Sequence, residues 1–151
     1  MSYDVTIETL APRILAAVRC RVAPARIPQE FKPALDRVWA FLAAHPGLRT
    51  DGHNVFLYHH DDPALMTIDF GVEITRRFDD DGDVRCVTTP AGEAAVVVHR
   101  GPYDGLRAAH EALHAWCAAH GRRIGGFSLE IYGDWSDDPA QLETAIQYLL
   151  R

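Results

Sequence analysis

Two stretches of this chain repeat each other. Ala43-Ala44-His45 closes one apolar helical segment and Ala118-Ala119-His120 closes another. Phe56-Leu57-Tyr58 follows the first, and Glu130-Ile131-Tyr132 follows the second at nearly the same distance. Asp61-Asp62-Pro63-Ala64 then matches Asp137-Asp138-Pro139-Ala140, and each leads into a β-prone run. A period of about 75 residues occurring twice is too long and too few for a solenoid array. The repeat therefore predicts two similar halves, about 1–78 and 84–151, joined in one pseudo-symmetric domain spanning 1–151. Two such halves facing each other leave a cleft on their common axis.

Within each half, the spacing of apolar residues assigns the elements. Phe31, Leu35, Val38, Trp39 and Leu42 recur at threes and fours, predicting an amphipathic helix over Gln29–Ala44 after breaks at Pro24 and Pro28. A turn at Thr50-Asp51-Gly52 should follow, then strands at Val55–His59 and Met66–Arg76. In the second half, Val84–Thr88 is able to pair as a short strand, Glu93–Arg100 reads as a strand and Tyr103–His120 as a helix with Leu106, Ala109, Leu113, Trp116 and Cys117 on one face. Phe127–Tyr132 and Thr144–Leu150 are the last strands. Ile14–Val22 supplies the first half's opening strand. Each half is strand, helix, strand, strand. The fold class is α+β: one shared antiparallel sheet with two main helices and a central cleft.

Composition narrows the function. A net charge of −6 argues against a broad nucleic-acid surface, which needs clustered Lys and Arg. Cys20, Cys86 and Cys117 are widely spaced with no CxxC, as expected of reduced thiols in the cytoplasm. No apolar run reaches membrane-spanning length, and the N-terminus lacks the marks of a signal peptide. Asp79-Asp80-Asp81-Gly82-Asp83 lacks the ligand alternation of a calcium loop and reads as a solvated turn between the halves. His59-His60-Asp61-Asp62 reads as a polar strand end.

One literal metal motif is set aside. His110-Glu111-Ala112-Leu113-His114 is an HExxH on a predicted helix, with His120 where a third zinc ligand would fall. The turn-forming Gly that such a site needs is replaced by Cys117 within continuing helix, and only Met1 and Met66 exist to build a Met-turn. The histidines are read as flanking a buried stripe, with no metal.

Gly101-Pro102-Tyr103, Leu106, Leu113, Trp116 and Gly121, then Glu130-Ile131-Tyr132 and Asp138-Pro139, together resemble the GyrI-like family. That family includes the effector-binding domains of AraC-type and BmrR-type regulators and stand-alone forms. The resemblance is strongest from Glu93 to Arg151. It weakens at the end, where Glu143-Thr144-Ala145-Ile146 replaces the family's Thr-Glu-Ile-like strand and proline. It implies a cleft for lipophilic, often cationic, aromatic molecules, with Glu130 as the carboxylate facing them. Composition leads to the expectation of no direct nucleic-acid contact and no membrane, and no cofactor is expected; a protein partner, as in gyrase inhibition, is left unspecified. Haem binding finds no axial ligand.

The residues lead the same way. Along a strand, Leu129 and Ile131 point to one side and Glu130 and Tyr132 to the other. With Leu129 and Ile131 in the core, Glu130 and Tyr132 face the ligand, and the repeat adds Phe56 and Tyr58. Trp39 and Trp116, from equivalent helices, are expected to wall the cleft, with Tyr103 beside them and Trp135 as a lid. A carboxylate among aromatic rings suits a delocalised cation. Desolvation is expected to raise the Glu130 pKa in the empty protein. The alternative is a hydrolase that opens cyclopropane rings of DNA-alkylating natural products, with Glu130 acting on water and Tyr132 or another tyrosine stabilising developing charge.

Overall fold

Two short linkers decide the shape of the sheet. The computed structural model describes residues 3–151, apart from the side chains of 49–51. Among the described residues the strands are β1 (Thr6–Leu10), β2 (Ile14–Val22), β3 (Arg49–His59), β4 (Met66–Ile74), β5 (Val84–Thr88), β6 (Gly92–Arg100), β7 (Ile124–Tyr132) and β8 (Glu143–Leu150). They form one antiparallel sheet in the order β1-β6-β8-β7-β3-β4-β2-β5. In a flat sheet, β1 and β2 would lie six strand spacings apart, about 29 Å. Only Ala11, Pro12 and Arg13 join them, a reach of at most about 14 Å. The link from β5 to β6 is equally short. The sheet must therefore curl until its two ends nearly meet. The two linkers are tied where they cross: Thr89 N–H donates to Arg13 O at 2.9 Å, and Arg13 N–H to Thr89 Oγ1 at 2.7 Å.

Curling buries the inner face of the sheet without help from a helix. Leu15, Ala17, Val55, Leu57, Val87, Leu129 and Leu149 fill it. Gly71 lies in the same row, and a Cβ there would come within 3.0 Å of both Ala16 O and Ala17 Cβ. Backbone approaches so closely at this point that any side chain would push its neighbours apart. Asp69 is fully buried two residues away, held by Arg19 through two bonds of 2.7 and 3.0 Å and by His59 Nε2 at 2.8 Å. Burial pushes its carboxyl pKa up, but these hydrogen bonds outweigh burial and hold it below the ordinary value.

The outer face carries helices α1 (Ile27–Ala44) and α2 (Leu106–Ala119). α1 buries Ala34, Leu35, Val38 and Leu42, and α2 buries Ala109, Leu113 and Cys117. Both helices close alike. His45 stacks on Phe41 at 4.2 Å and donates from Nδ1 to Phe41 O; His120 stacks on Trp116 at 4.0 Å and donates to Trp116 O. The strand order also reads the same from either end when the halves are exchanged.

Four details differ from the sequence expectation. The first half begins with an extra strand, β1, which pairs with β6, as the expected short strand Val84–Thr88 (β5) pairs with β2. Pro28 does not precede α1 but sits in its first turn, where the missing N–H has no partner to lose. Residues 50–52 continue β3 in place of a turn, at a shift in its pairing with β4 between Arg49 and Asn54. The start of α2 is also later than expected. A short 3₁₀ turn covers Tyr103–Gly105, and Gly105 presses so closely on His99 that a Cβ would lie 2.8 Å from its ring. The acidic run 79–83 is a turn in which Asp80 accepts from Cys86 N–H and Gly82 adopts a positive φ of 57°.

Asp69→Asn is expected to lower stability by about 2–3 kcal/mol in urea denaturation at neutral pH, below the full cost of breaking a buried pair because the Arg19 side chain is a third exposed. A depressed carboxylate contributes stability above its unfolded pKa and loses it as pH falls through the native one. The difference between wild type and variant should therefore shrink below about pH 4.

Candidate functional site

On the outer face, β3 and β7 run side by side between the helices, with Phe56 opposite Glu130 and Tyr58 opposite Ser128. Tyr58 and Tyr132 occupy corresponding places in the two halves, so the Phe56–Glu130 pair lies on the axis between them. Both phenols turn inward onto the one acid. Tyr58 O–H donates to Glu130 Oε1 through a very short bond, and Tyr132 O–H donates to the same oxygen at 2.8 Å. The other oxygen, Oε2, accepts from His110 Nε2 at 2.7 Å, and His110 Nδ1 lies 2.6 Å from Tyr148 O–H. Glu130 is 5 % exposed.

Burial raises the Glu130 pKa, yet the His110 hydrogen bond and charge, with the hydrogen bonds of the two tyrosines, outweigh it and leave the carboxyl below its ordinary value. This corrects the expectation of a raised pKa: desolvation acts, but three donors oppose it. The phenols respond in the opposite sense. Burial, then the adjacent Glu130 charge, pushes Tyr58 and Tyr132 well above the usual phenol value, and Tyr148 likewise.

Above the two tyrosines lies a cavity of about 740 Å³, within the range of drug-sized ligand pockets. Ile27, Pro28, Phe31, Leu35 and Trp39 of α1 form one wall. Phe56, Tyr58, Tyr132 and Tyr103 form the floor and far side, and Asn54, Gly133, Asp134 and Trp135 the mouth. The rings brace one another. Phe56 meets Phe70 and Tyr132 edge-on at 4.8 and 4.9 Å, and Tyr103 meets Tyr132 at 5.5 Å. At the rim, His53 Nε2 contacts Asp134 Oδ1 at 2.7 Å. Trp135 is 74 % exposed there.

The structure thus brings Phe56, Tyr58, Tyr132, Tyr103, Trp39 and Trp135 onto one cavity. It places two expected residues elsewhere. Trp116 does not line the cavity: it corresponds to Phe41, not Trp39, and packs with Tyr3, Val5 and Leu106 over the second half's core. Glu130 is not in the cavity wall either. It lies beneath the hydroxyls of Tyr58 and Tyr132, so its charge reaches the cavity through them. Sequence reasoning missed His110 and Tyr148. One signal was available: by the correspondence of the helix ends, His110 stands where the first half has the buried Leu35. A titratable residue at a repeat's core position points to a polar partner. His110 is committed to Glu130 and Tyr148. Among the described residues no group of three or more His, Cys, Asp or Glu is arranged to hold a metal ion, and no helix is long and apolar enough to cross a membrane.

The profile of the GyrI-like small molecule binding domain matches residues 3–151. The chain belongs to that family. No curated protein matches it in sequence. Among solved structures, the C-terminal domain of EcmrR superposes with a TM-score of 0.82 at 24 % identity, over 100 % of this chain and 99 % of that one. EcmrR in complex with DNA matches with a TM-score of 0.81 at 25 % identity, this GyrI-like chain spanning 58 % of its length. SAV2435, solved bound to tetraphenylphosphonium, has a TM-score of 0.70 at 14 % identity over 100 % of this chain and 94 % of its own. A hydrolase from Listeria innocua shares the fold with a TM-score of 0.66 at 14 % identity, over 99 % and 93 % of the two chains. This GyrI-like chain is a small-molecule-binding domain.

Tyr58→Phe should show what the phenols contribute. It removes one of the donors to a buried carboxylate, worth about 1.5–3 kcal/mol, and the Glu130 titration followed by carbon NMR should move to higher pH. Because Glu130 is depressed, that stability is present at neutral pH and lost as pH falls through its native value. The deficit of the variant in urea denaturation should therefore be largest near neutrality.

Proposed function

We propose that the cavity binds lipophilic cations with aromatic bodies and that the protein works as a sensing or sequestering module for them. The observation that carries this reading is an ionised carboxylate buried directly beneath the phenols of an otherwise apolar, ring-lined cavity. Donating their hydroxyl protons to Glu130 makes Tyr58 and Tyr132 more electron-rich, so their outward faces and oxygens turn negative potential toward a guest. A cation about 7 Å from the carboxylate gains about 2 kcal/mol at an effective dielectric near 20. Contact with the tyrosine, Phe56 and Trp39 rings adds cation–π attraction. A soft, weakly hydrated cation loses little on leaving water, whereas a compact ammonium or metal ion loses much. The tetraphenylphosphonium in SAV2435 is a cation of that kind, and EcmrR solved on DNA is consistent with use of this domain as an effector sensor.

The hydrolytic alternative needs a Glu130 lone pair aimed at a water within the cavity. Oε1 already accepts from two phenols and Oε2 from His110, so binding is the favoured reading. A ring-opened, water-added product from a cyclopropane alkylator would reverse that order.

Glu130→Gln tests the charge, since glutamine keeps an acceptor for the tyrosines. Tetraphenylphosphonium should bind about 10- to 30-fold more weakly, roughly 1.4–2 kcal/mol, by calorimetry, while neutral triphenylphosphine oxide loses little. Equal affinity of both proteins for the cation would overturn the reading. Fluorescence locates the guest independently. Quenching by tetraphenylphosphonium should fall in Trp39→Phe and Trp135→Phe and persist in Trp116→Phe; quenching lost only in Trp116→Phe would place the guest elsewhere.

A further inference from the structure

The two helices present opposite chemistry at corresponding positions. Counting back from their matching ends, Leu35 and Trp39 of α1 answer to His110 and His114 of α2. The α1 side is the apolar cavity wall. The α2 side is a cluster of titratable groups around Tyr148, whose ring lies 5.6 Å from His110, 5.0 Å from His114 and 6.0 Å from His60. Glu130 sits on the boundary between the two sides. The apolar side holds the guest, and the other side holds the groups that set the charge beneath it.

The bonding of His110 allows it to gain a proton without releasing Glu130. An ionised carboxylate only accepts, so His110 Nε2 carries hydrogen and donates to Oε2. The second ring nitrogen, Nδ1, faces the Tyr148 hydroxyl, which can both donate and accept. With His110 neutral, Tyr148 donates to Nδ1. With His110 charged, Nδ1–H donates to the Tyr148 oxygen. One rotation of a hydroxyl hydrogen accommodates both states.

The groups around this pair are Glu130 and Tyr132 of β7, Tyr148 of β8, Tyr58 of β3, His60 just beyond it, His114 and Cys117 of α2, and, on β6, the buried His99, which is bonded to Tyr3 O–H and Pro102 O. Glu130 supplies the negative charge, and three hydrogen-bond donors on its two oxygens hold it in the ionised form. The three tyrosines are all raised and stay neutral. His60, bonded to Ser128 at 2.7 Å, is pushed toward its neutral form by burial and by the neighbouring His114 and His110.

We propose that His110 is a positioning residue that couples cation binding to proton release, so that a lipophilic cation in the cavity and a proton on His110 Nδ1 compete for the charge of Glu130. The proposal rests on the reading of the cavity as a cation site. With Nδ1 protonated, Glu130 and His110 form a neutral pair and the cavity floor attracts a cation weakly. When the cation binds, the Nδ1 proton leaves to solvent, Nε2–H stays on Oε2, and the full negative charge faces the guest. Linkage requires the converse: a bound cation makes His110 harder to protonate. Affinity for cations therefore rises with pH through the titration of His110 and then levels off. Neutral guests follow no such course.

Calorimetry of the whole protein with tetraphenylphosphonium, from about pH 5 to about pH 8 and in buffers of different ionisation enthalpy, tests this. The expected result is an affinity about tenfold lower at the acid end, with up to one proton released per cation bound. Triphenylphosphine oxide should bind with no pH dependence and no proton release. His110→Gln keeps a donor to Glu130 but takes no second proton, and should flatten the cation profile and abolish release. His110→Leu, the residue type of the corresponding Leu35, provides the same test if the glutamine variant does not fold. In the wild type, nitrogen NMR should show His110 titrating when free and remaining neutral at the same pH when tetraphenylphosphonium is bound. Cation binding that is independent of pH, or a full pH slope retained in His110→Gln, would overturn the coupling and leave the cavity reading intact. Failure of tetraphenylphosphonium to bind at any pH would overturn both.

Discussion

A carboxylate removed from water must be met by donors, and around Glu130 that requirement draws four elements together. β7 carries the acid, β3 and β7 each bring a tyrosine, and α2 brings His110, itself backed by Tyr148 of β8. An ion buried to this degree costs several kcal/mol when unpaired. The relative placement of the second helix and the two central strands is therefore tied to the chemistry of the site. The same donors that make the charge tolerable keep it ionised, which a buried carboxylate in apolar surroundings would not be.

The curled sheet makes this possible. Because the two linkers are too short to span a flat sheet, the inner face closes on itself and forms a core of its own. The outer face is then free to carry two helices that part along the axis between β3 and β7. Gly71 permits the close strand approach, and Asp69 with Arg19 and His59 ties β2, β4 and the end of β3 together. The cavity is the space left between α1 and the tyrosine-bearing strands. Its opposite counterpart beside α2 is filled by histidines and Tyr148.

Two similar halves that differ beside their common axis account for the division of labour. The halves keep the same strand order and the same helix closure, Phe41 with His45 and Trp116 with His120. They differ at the positions next to the axis: Leu35 against His110, Trp39 against His114, and Phe56 against Glu130. One half presents apolar surface and the other presents charge and titratable groups. A symmetric pair of halves would place either two acids or none on the axis; the asymmetry leaves a single buried carboxylate there.

Local pattern was enough to identify the repeat, the two amphipathic helices and the faces of the central strands, because helical and strand periodicities act within a few residues. It also placed Leu129 in the core and set Phe56, Tyr58 and Tyr132 on one face. Pro28, the residues after Gly47 and the start of α2 were misread, since turn-forming residues are compatible with both the interior and the end of an element. What no local pattern carries is register across the chain. Whether Trp116 answers to Trp39 or to Phe41, and whether His110 meets solvent or Glu130, depends on how α2 lies over strands formed by distant residues. The sign of the Glu130 pKa shift follows from that placement. Burial alone pushes a carboxyl pKa up; only the tertiary structure supplies the tyrosine and histidine donors that bring it down.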